Sequence, residues 1–292
     1  MNHSWISIIR SLRLSHWTKN LFVFAVVLFA PAITQTGLLF KSLIAFLCFS
    51  LASSSVYLIN DLADIHDDRH HPVKSHRPIA AGRLSPSLAW IMIFILQAIS
   101  LSIAGWIHPG FCLLLLGYSL LQLLYSYLLK TIILVDVFVI AVGFLMRVLS
   151  GSLVTGLPIS HWLMLCTFLL ALFLGFSKRR SELQLAHSQG HQQRHVLQHY
   201  STIFLDQIIA IVTTLVIITY LMYTVSSTTT TRFQSINLVY TTPLVMYGIF
   251  RYLYLIYTGH KGENPEQNII MDKALLFTIL FWFLSVCYII YN

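Results

Sequence analysis

The chain is short of charge. Of its 292 residues only 10% are Asp, Glu, Lys or Arg, while 57% are hydrophobic. Soluble domains carry about 25% charged residues, so a water-solvated globular domain is excluded. Acids are the scarcest of all, ten against eighteen Lys and Arg. Alternation of polar and apolar residues is missing from the greasy stretches, which excludes an outer-membrane barrel. Cysteine is too scattered for a metal motif: Cys48, Cys112, Cys166 and Cys287 each sit inside an apolar segment and read as small buried hydrophobes. No low-complexity linker and no clear internal repeat divides the sequence, so 1–292 reads as a single domain.

What the chain has is a series of continuous apolar runs of about twenty residues. Lipid offers no hydrogen bonds to a backbone, so each run is expected to be a helix. The reading is an all-α, polytopic membrane bundle of about nine transmembrane helices, at 20–34, 37–59, 86–107, 110–129, 132–156, 159–177, 203–226, 236–257 and 274–291. Ahead of them, residues 4–17 mix Trp5, Ile6, Ile9 and Leu12 with Arg10 and Arg13, the pattern of a short interfacial helix. The run "LFVFAVVLFAPA" has the look of a signal peptide with an A-x-A end, but the helix count needs it as a retained span.

The net charge of +8 does not point to nucleic acid, because the bases flank apolar runs. There they set topology, attract membrane lipids or bind anionic substrates. With nine spans, fourteen Lys and Arg fall on the side of the N-terminus and only Lys41 and Arg232 on the other. The positive-inside rule then places the N-terminus and the long loops in the cytoplasm, with the chain integral to a bacterial plasma membrane. Nearly every residue capable of chemistry lies on that side. This is the layout of a one-sided enzyme; a transporter would line a path with charge on both faces.

The scarce acids are gathered in one place. "YLINDLADIHDDRHHPVKSHRPIAAG", Tyr57 to Gly82, holds Asp61, Asp64, Asp67 and Asp68, followed by Arg69, Lys74 and Arg77. On a helix that continues past the bilayer, Asn60, Asp64 and Asp68 recur at i, i+4 and i+8, with Asp61 beside them and Tyr57 a turn below. Like charges on one stripe repel unless a cation sits among them. Oxygen-only donors suit Mg²⁺, which bridges one or two carboxylates to substrate phosphates. The metal set is therefore Asn60, Asp61, Asp64 and Asp68. Asp61 and Asp64 are its indispensable members, while Tyr57, Arg69, Lys74 and Arg77 meet the substrate. A solvated loop whose charges pair with one another is the plain alternative.

The N-D-x-x-D-x-x-x-D pattern at Asn60, Asp61, Asp64 and Asp68, at the end of the second span, resembles the first motif of the UbiA prenyltransferase superfamily. That resemblance implies a helical membrane fold around a laterally open cavity and Mg²⁺-dependent chemistry on a diphosphate. Typical members move a prenyl group from its diphosphate to an aromatic acceptor and carry a second acidic motif between spans 6 and 7. Here that loop reads "SKRRSELQLAHSQGHQQRHVLQHYS", with one acid, Glu182, behind Lys178, Arg179 and Arg180. A cationic cluster there asks for further anions. "HWTKNLFVFAVVLFA", "DRHHPVKSHRPIAAG", "GFLMRVLSG" and "FLGFSKRRSEL" resemble the decaprenyl-phosphate phosphoribosyltransferase branch. This implies phosphoribosyl pyrophosphate as donor and a polyprenyl phosphate as acceptor. It also makes Lys19 a phosphate ligand and sends Lys130 to the pyrophosphate. A prenyltransferase acting on an aromatic acceptor is the alternative. Self-association is left open.

Arg147 lies deep in the fifth span and needs a partner there. Asp136, eleven residues earlier, is about 16 Å away by helical rise, too far for an ion pair. Substrate phosphate is favoured over a structural hydrogen-bond network for Arg147, and Asp136 stays unassigned. His187, His191, His195 and His199 repeat every four residues but lack the ligand set of a zinc site and read as an exposed polar face. Glu266 and Asp272 fall between the last two spans, where they either close over the site or are simply solvated.

Overall fold

Apolar runs bounded by Ser, Asp and Pro become capped helices. The computed structural model describes residues 2–30, 35–70, 74–189, 195–258 and 271–291, except for the side chains of 2–4 and 186–195. Its elements are α1 (Asn2–Leu12), a 3-10 helix (Leu14–Phe24) running into α2 (Ala25–Leu28), α3 (Thr36–Ala63), α4 (Ile65–His70), α5 (Pro86–Ile107) and α6 (Pro109–Tyr127). After these come α7 (Val135–Thr155), α8 (His161–Gln189), α9 (Thr202–Val225), α10 (Ser227–Phe233), α11 (Thr242–Thr258) and α12 (Lys273–Tyr291). Among the described residues there is no strand. The starts follow capping chemistry. Ser85 accepts from the Leu88 N–H with Pro86 behind it, Ser201 accepts from Phe204, and Asp272 accepts from Leu275 at 2.8 Å.

Seven helices, α3, α5, α6, α7, α8, α9 and α12, are long and apolar enough to cross a membrane. The other two expected spans take a different form. Residues 14–28 begin as eleven residues of 3-10 helix, and the 236–257 run splits into a 3-10 turn, Asn237–Thr241, and the 17-residue α11. Apolar content does not separate 3-10 from α backbone, so composition could not foresee either change. Phe94, Trp106, Leu113, Phe277 and Leu284 face outward, an apolar exposure that a lipid solvent accommodates.

The chain divides into two compact units: Met1–Val27, Ala32–Ile132 and Met146–Pro158 in the first, and Leu28–Pro31, Ile133–Leu145 and Ile159–Asn292 in the second. In the first, Phe49 packs on Tyr118 with ring centroids 4.7 Å apart, and Val23, Phe111, Leu115 and Val154 fill the same core. Small residues let the 3-10 helix approach closely. Ser50, Ser53 and Ser54 of α3 are buried beneath it, Asn20 donates to Ser50 at 3.0 Å, and Trp17 donates to Ser54 at 3.1 Å. Gly151 is required at this contact, since a Cβ there would lie 2.1 Å from the Val23 carbonyl oxygen. A second cluster of Leu58, Ile79, Leu84, Ala89 and Ile93 ties the turn after His76 to the end of α3. The second unit has its own core around Val137, Phe173, Phe176, Leu205, Ile209 and Tyr252.

Candidate active site

The site is built where α3 ends. The helix does not run on unbroken: it stops at Ala63, Asp64 sits in a turn conformation (φ −95°, ψ 11°), and α4 takes over. The register nevertheless survives, because Asp64 N–H donates to Asn60 C=O at 3.0 Å and Asp68 N–H to Asp64 C=O at 2.8 Å. The expected i, i+4, i+8 stripe is thus present with a bend in it.

Each carboxylate of the stripe is held by a base. Asp61 and Asp68 are each only 2% exposed. Arg77 bridges them, at 3.1 Å to Asp61 and 2.6 Å to Asp68. Arg13 makes a second ion pair with Asp61 and lies over the Tyr57 ring, 5.0 Å from its centroid. Asp64 accepts from Lys130 at 2.5 Å and from the Asn60 amide at 3.1 Å. Two residues further along the 3-10 helix's start, His16 stacks obliquely on Tyr57 and faces the Lys19 ammonium at 3.2 Å. So the first unit gathers Arg13, Tyr57, Asp61, Asp68 and Arg77 in one cluster, with Lys19 next to it through His16, and Asn60, Asp64 and Lys130 in a second that the backbone bond from Asp68 to Asp64 ties to it. Arg69 is exposed on α4, and Lys74 opens the short 3-10 turn Lys74–His76.

The donor set fits a hard divalent cation. It offers carboxylates and one amide, with neither sulfur nor imidazole in the stripe. Among the described residues no three His, Cys, Asp or Glu side chains converge as a ready-made cage. Mg²⁺ asks for none, since it keeps water and substrate phosphate oxygens as ligands beside one or two carboxylates.

Arg147 is buried in the same unit. Its Nε donates to Asn20 Oδ1 at 2.8 Å and its Nη2 to the Tyr118 hydroxyl at 3.1 Å, between the rings of Phe49 and Tyr118. Two of its hydrogen bonds thus go to neutral side chains, as in the structural network that is the alternative to a substrate phosphate.

The basic run of the loop after the sixth span lies in the second unit, on α8, and carries its own counter-ions. Arg179 is buried and pairs with Asp136 and Glu182, each at 2.6 Å. The Tyr200 hydroxyl donates to Asp136 at 3.0 Å and accepts the Leu134 N–H at 2.7 Å. Leu134 has φ +66°, a conformation unfavourable to a side chain, and this bond helps hold it. Arg180 pairs with Asp206 at 2.6 Å and lies 3.9 Å from the Tyr257 ring centroid. Lys178 is the most exposed of the three, with Glu182 at 4.0 Å. Asp136, unassigned on sequence, is thus the partner of Arg179. Asp272 caps α12 and pairs with Arg251 at 2.8 Å, which makes it part of the framework. His187, His191, His195 and Glu266 lie outside the described side chains.

The sequence marks Arg13 as a polar position of an interfacial helix and a topology charge, not as a site residue. The signal that could have singled it out is the buried serine run of α3, which marks where the segment around residues 12–20 must dock.

Residues 20–271 match the UbiA prenyltransferase family. The chain belongs to the UbiA family. It is a multi-pass membrane transferase. Among curated proteins it is 31% identical over 285 residues to the decaprenyl-phosphate phosphoribosyltransferase of Mycolicibacterium smegmatis, covering 94% of this chain and 89% of that one. The Corynebacterium glutamicum protein of the same name is 31% identical over 291 residues, covering 97% and 86%. Among solved structures, a UbiA homolog from Archaeoglobus fulgidus bound to GPP and Mg²⁺ superposes with a TM-score of 0.70 at 19% identity, over 98% of this chain and 100% of that one. At that identity the likeness establishes the UbiA fold.

Proposed function

We propose that this UbiA-family enzyme transfers 5-phosphoribose from phosphoribosyl pyrophosphate to a polyprenyl phosphate at the cytoplasmic face of the membrane, releasing pyrophosphate. The observation that carries this reading is the similarity over nearly the full length of both partners to curated decaprenyl-phosphate phosphoribosyltransferases. The acid–base network of the first unit supports it, since it offers sites for both a divalent cation and phosphate oxygens.

Asn60, Asp61, Asp64 and Asp68 would hold Mg²⁺, which when bound offsets the charge growing on a departing pyrophosphate. Arg77 and Lys130, each partly exposed beside a carboxylate, turn to phosphate oxygens of the donor, with Lys19, Arg69 and Lys74 as further cationic contacts. Tyr57, under the Arg13 guanidinium, would donate a hydrogen bond to the donor substrate. In the reaction the ribose C1–O bond to pyrophosphate breaks, the electron pair leaves with pyrophosphate, and a lipid phosphate oxygen forms the new bond to C1. The transition state is oxocarbenium-like, as in other glycosyl transfers. The acceptor is already an anion, so no general base is required. Positioning and charge stabilisation carry the rate. Arg147 and Arg179 act from behind, as buried posts of their helices.

The test uses purified enzyme in detergent with Mg²⁺, a polyprenyl phosphate and donor labelled in the ribose. Label entering the organic phase, lost with chelator and in Asp64→Ala, is the expected result. Absence of transfer, with activity instead on a polyprenyl diphosphate and an aromatic acid, would return the chain to the aromatic prenyltransferases.

A further inference from the structure

The metal stripe has a resident competitor. Asp61 is almost completely buried, yet two guanidiniums reach it, Arg77 from the loop after α4 and Arg13 from the opposite end of the unit's sequence. Arg13 is placed there at some conformational expense. It is the single residue between α1 and the 3-10 helix, and its backbone is left-handed (φ 50°, ψ 53°). From that turn its side chain reaches Asp61 at the end of α3. The guanidinium is then fixed from three directions: the Asp61 carboxylate, the Tyr57 ring, and the backbone anchor that Ser54 Oγ makes by donating to the Leu12 carbonyl at 2.8 Å.

A buried carboxylate without a counter-charge is strongly unfavourable. Asp61 therefore stays charged only while a cation lies beside it. In the conformation seen, Arg13 and Arg77 meet on the same oxygen, Oδ1. A divalent cation using that carboxylate would share it with two fixed positive charges, which oppose the ion's approach.

We propose that Arg13 is an exchangeable counter-ion of Asp61. It neutralises the carboxylate when the site is empty, lowers the affinity of the site for metal alone, and passes to a phosphate of the donor when metal and donor enter together. The device favours loading of metal with the diphosphate over loading of bare metal. This inference rests on the metal reading of Asn60–Asp68 in the proposed function.

The two roles of Arg13 predict changes of opposite sign. Titration of the purified full-length protein with Mn²⁺, followed by the Mn²⁺ electron paramagnetic resonance signal and without any donor, should show Arg13→Gln binding the ion about tenfold more tightly than wild type. That is the lower end of what an opposite charge at this range does to a carboxylate's proton affinity. The same variant should need about tenfold more phosphoribosyl pyrophosphate for half-maximal rate, and Arg13→Lys should restore much of both. Melting temperatures of the variants report whether the kink survives. Mn²⁺ affinity unchanged or weakened in Arg13→Gln, with Arg13→Lys no different from it, would overturn the inference and leave Arg13 a structural strut. Absence of Mn²⁺ binding by wild type and Arg13→Gln alike, both without and with phosphoribosyl pyrophosphate, would overturn the metal site itself and this inference with it.

Discussion

Two acid–base pairs, one in each unit, differ sharply in burial. In the first unit, Asp64 and Lys130 keep 25% and 27% of their side chains exposed, and Arg77 keeps 24%. In the second, the Arg179–Asp136 pair is sealed, at 3% and 0%. A half-open pair exchanges partners at small cost, because water and ligand oxygens replace what it gives up. A sealed pair does not, because either member left alone is a buried charge. Asp64 is thus suited to binding and Asp136 to holding helices. Sequence alone could not draw this distinction, as both are acids near bases at helix ends.

The largest effect expected is from breaking the sealed pair. Asp136→Ala strips the fully buried carboxylate from Arg179, leaving Glu182 as its ion-pair partner, and should destabilise the protein by about 3 kcal/mol, read as a steep fall in melting temperature in detergent. Asp64→Ala is the counterpart in the half-open network. It should lower the transfer rate by about 10²–10³-fold while the melting temperature moves little. If Asp64→Ala instead unfolds the protein, the division between the two networks fails.

A finer test lies in Tyr200. Tyr200→Phe removes the acceptor of the Leu134 N–H and a donor to Asp136, and should cost about 1–3 kcal/mol. Burial pushes the Tyr200 hydroxyl up to about 12. The folded state thus favours the neutral phenol, so its contribution is full below the ordinary tyrosine value and is lost as pH rises towards the folded one. The stability difference between wild type and variant should be flat from pH 6 to 9, checked by denaturant titration. The smallest effect is that of Lys130→Met. Half-maximal donor concentration should rise about tenfold, equivalent to about 1.4 kcal/mol, with stability nearly unchanged.

The acidic stripe and most of the spans were legible because their signals are local. Helical spacing of Asn60, Asp64 and Asp68 survives even the turn at Asp64, since the backbone hydrogen bonds keep the register. Seven of the nine apolar runs became long helices for the reason sequence gave, the need to satisfy backbone groups internally. Partner choice was not legible. Arg179 and Asp136 are 43 residues apart, and Arg180 and Asp206 are 26 apart, so the basic cluster looked unneutralised when read along the chain. Arg147 drew the same inference, and its actual neighbours Asn20 and Tyr118 come from two other elements. The left-handed turn at Arg13 carries no glycine or asparagine to announce it.

The most direct measurement of the central claim is to run the transfer twice, with donor labelled once in the ribose and once in the β-phosphate of its pyrophosphate. The account predicts that ribose label becomes lipid-extractable only with polyprenyl phosphate present, while β-phosphate label stays in water as pyrophosphate. Lipid-extractable β-phosphate label, or no lipid-extractable ribose label from a protein that is folded and loaded with metal, would contradict it.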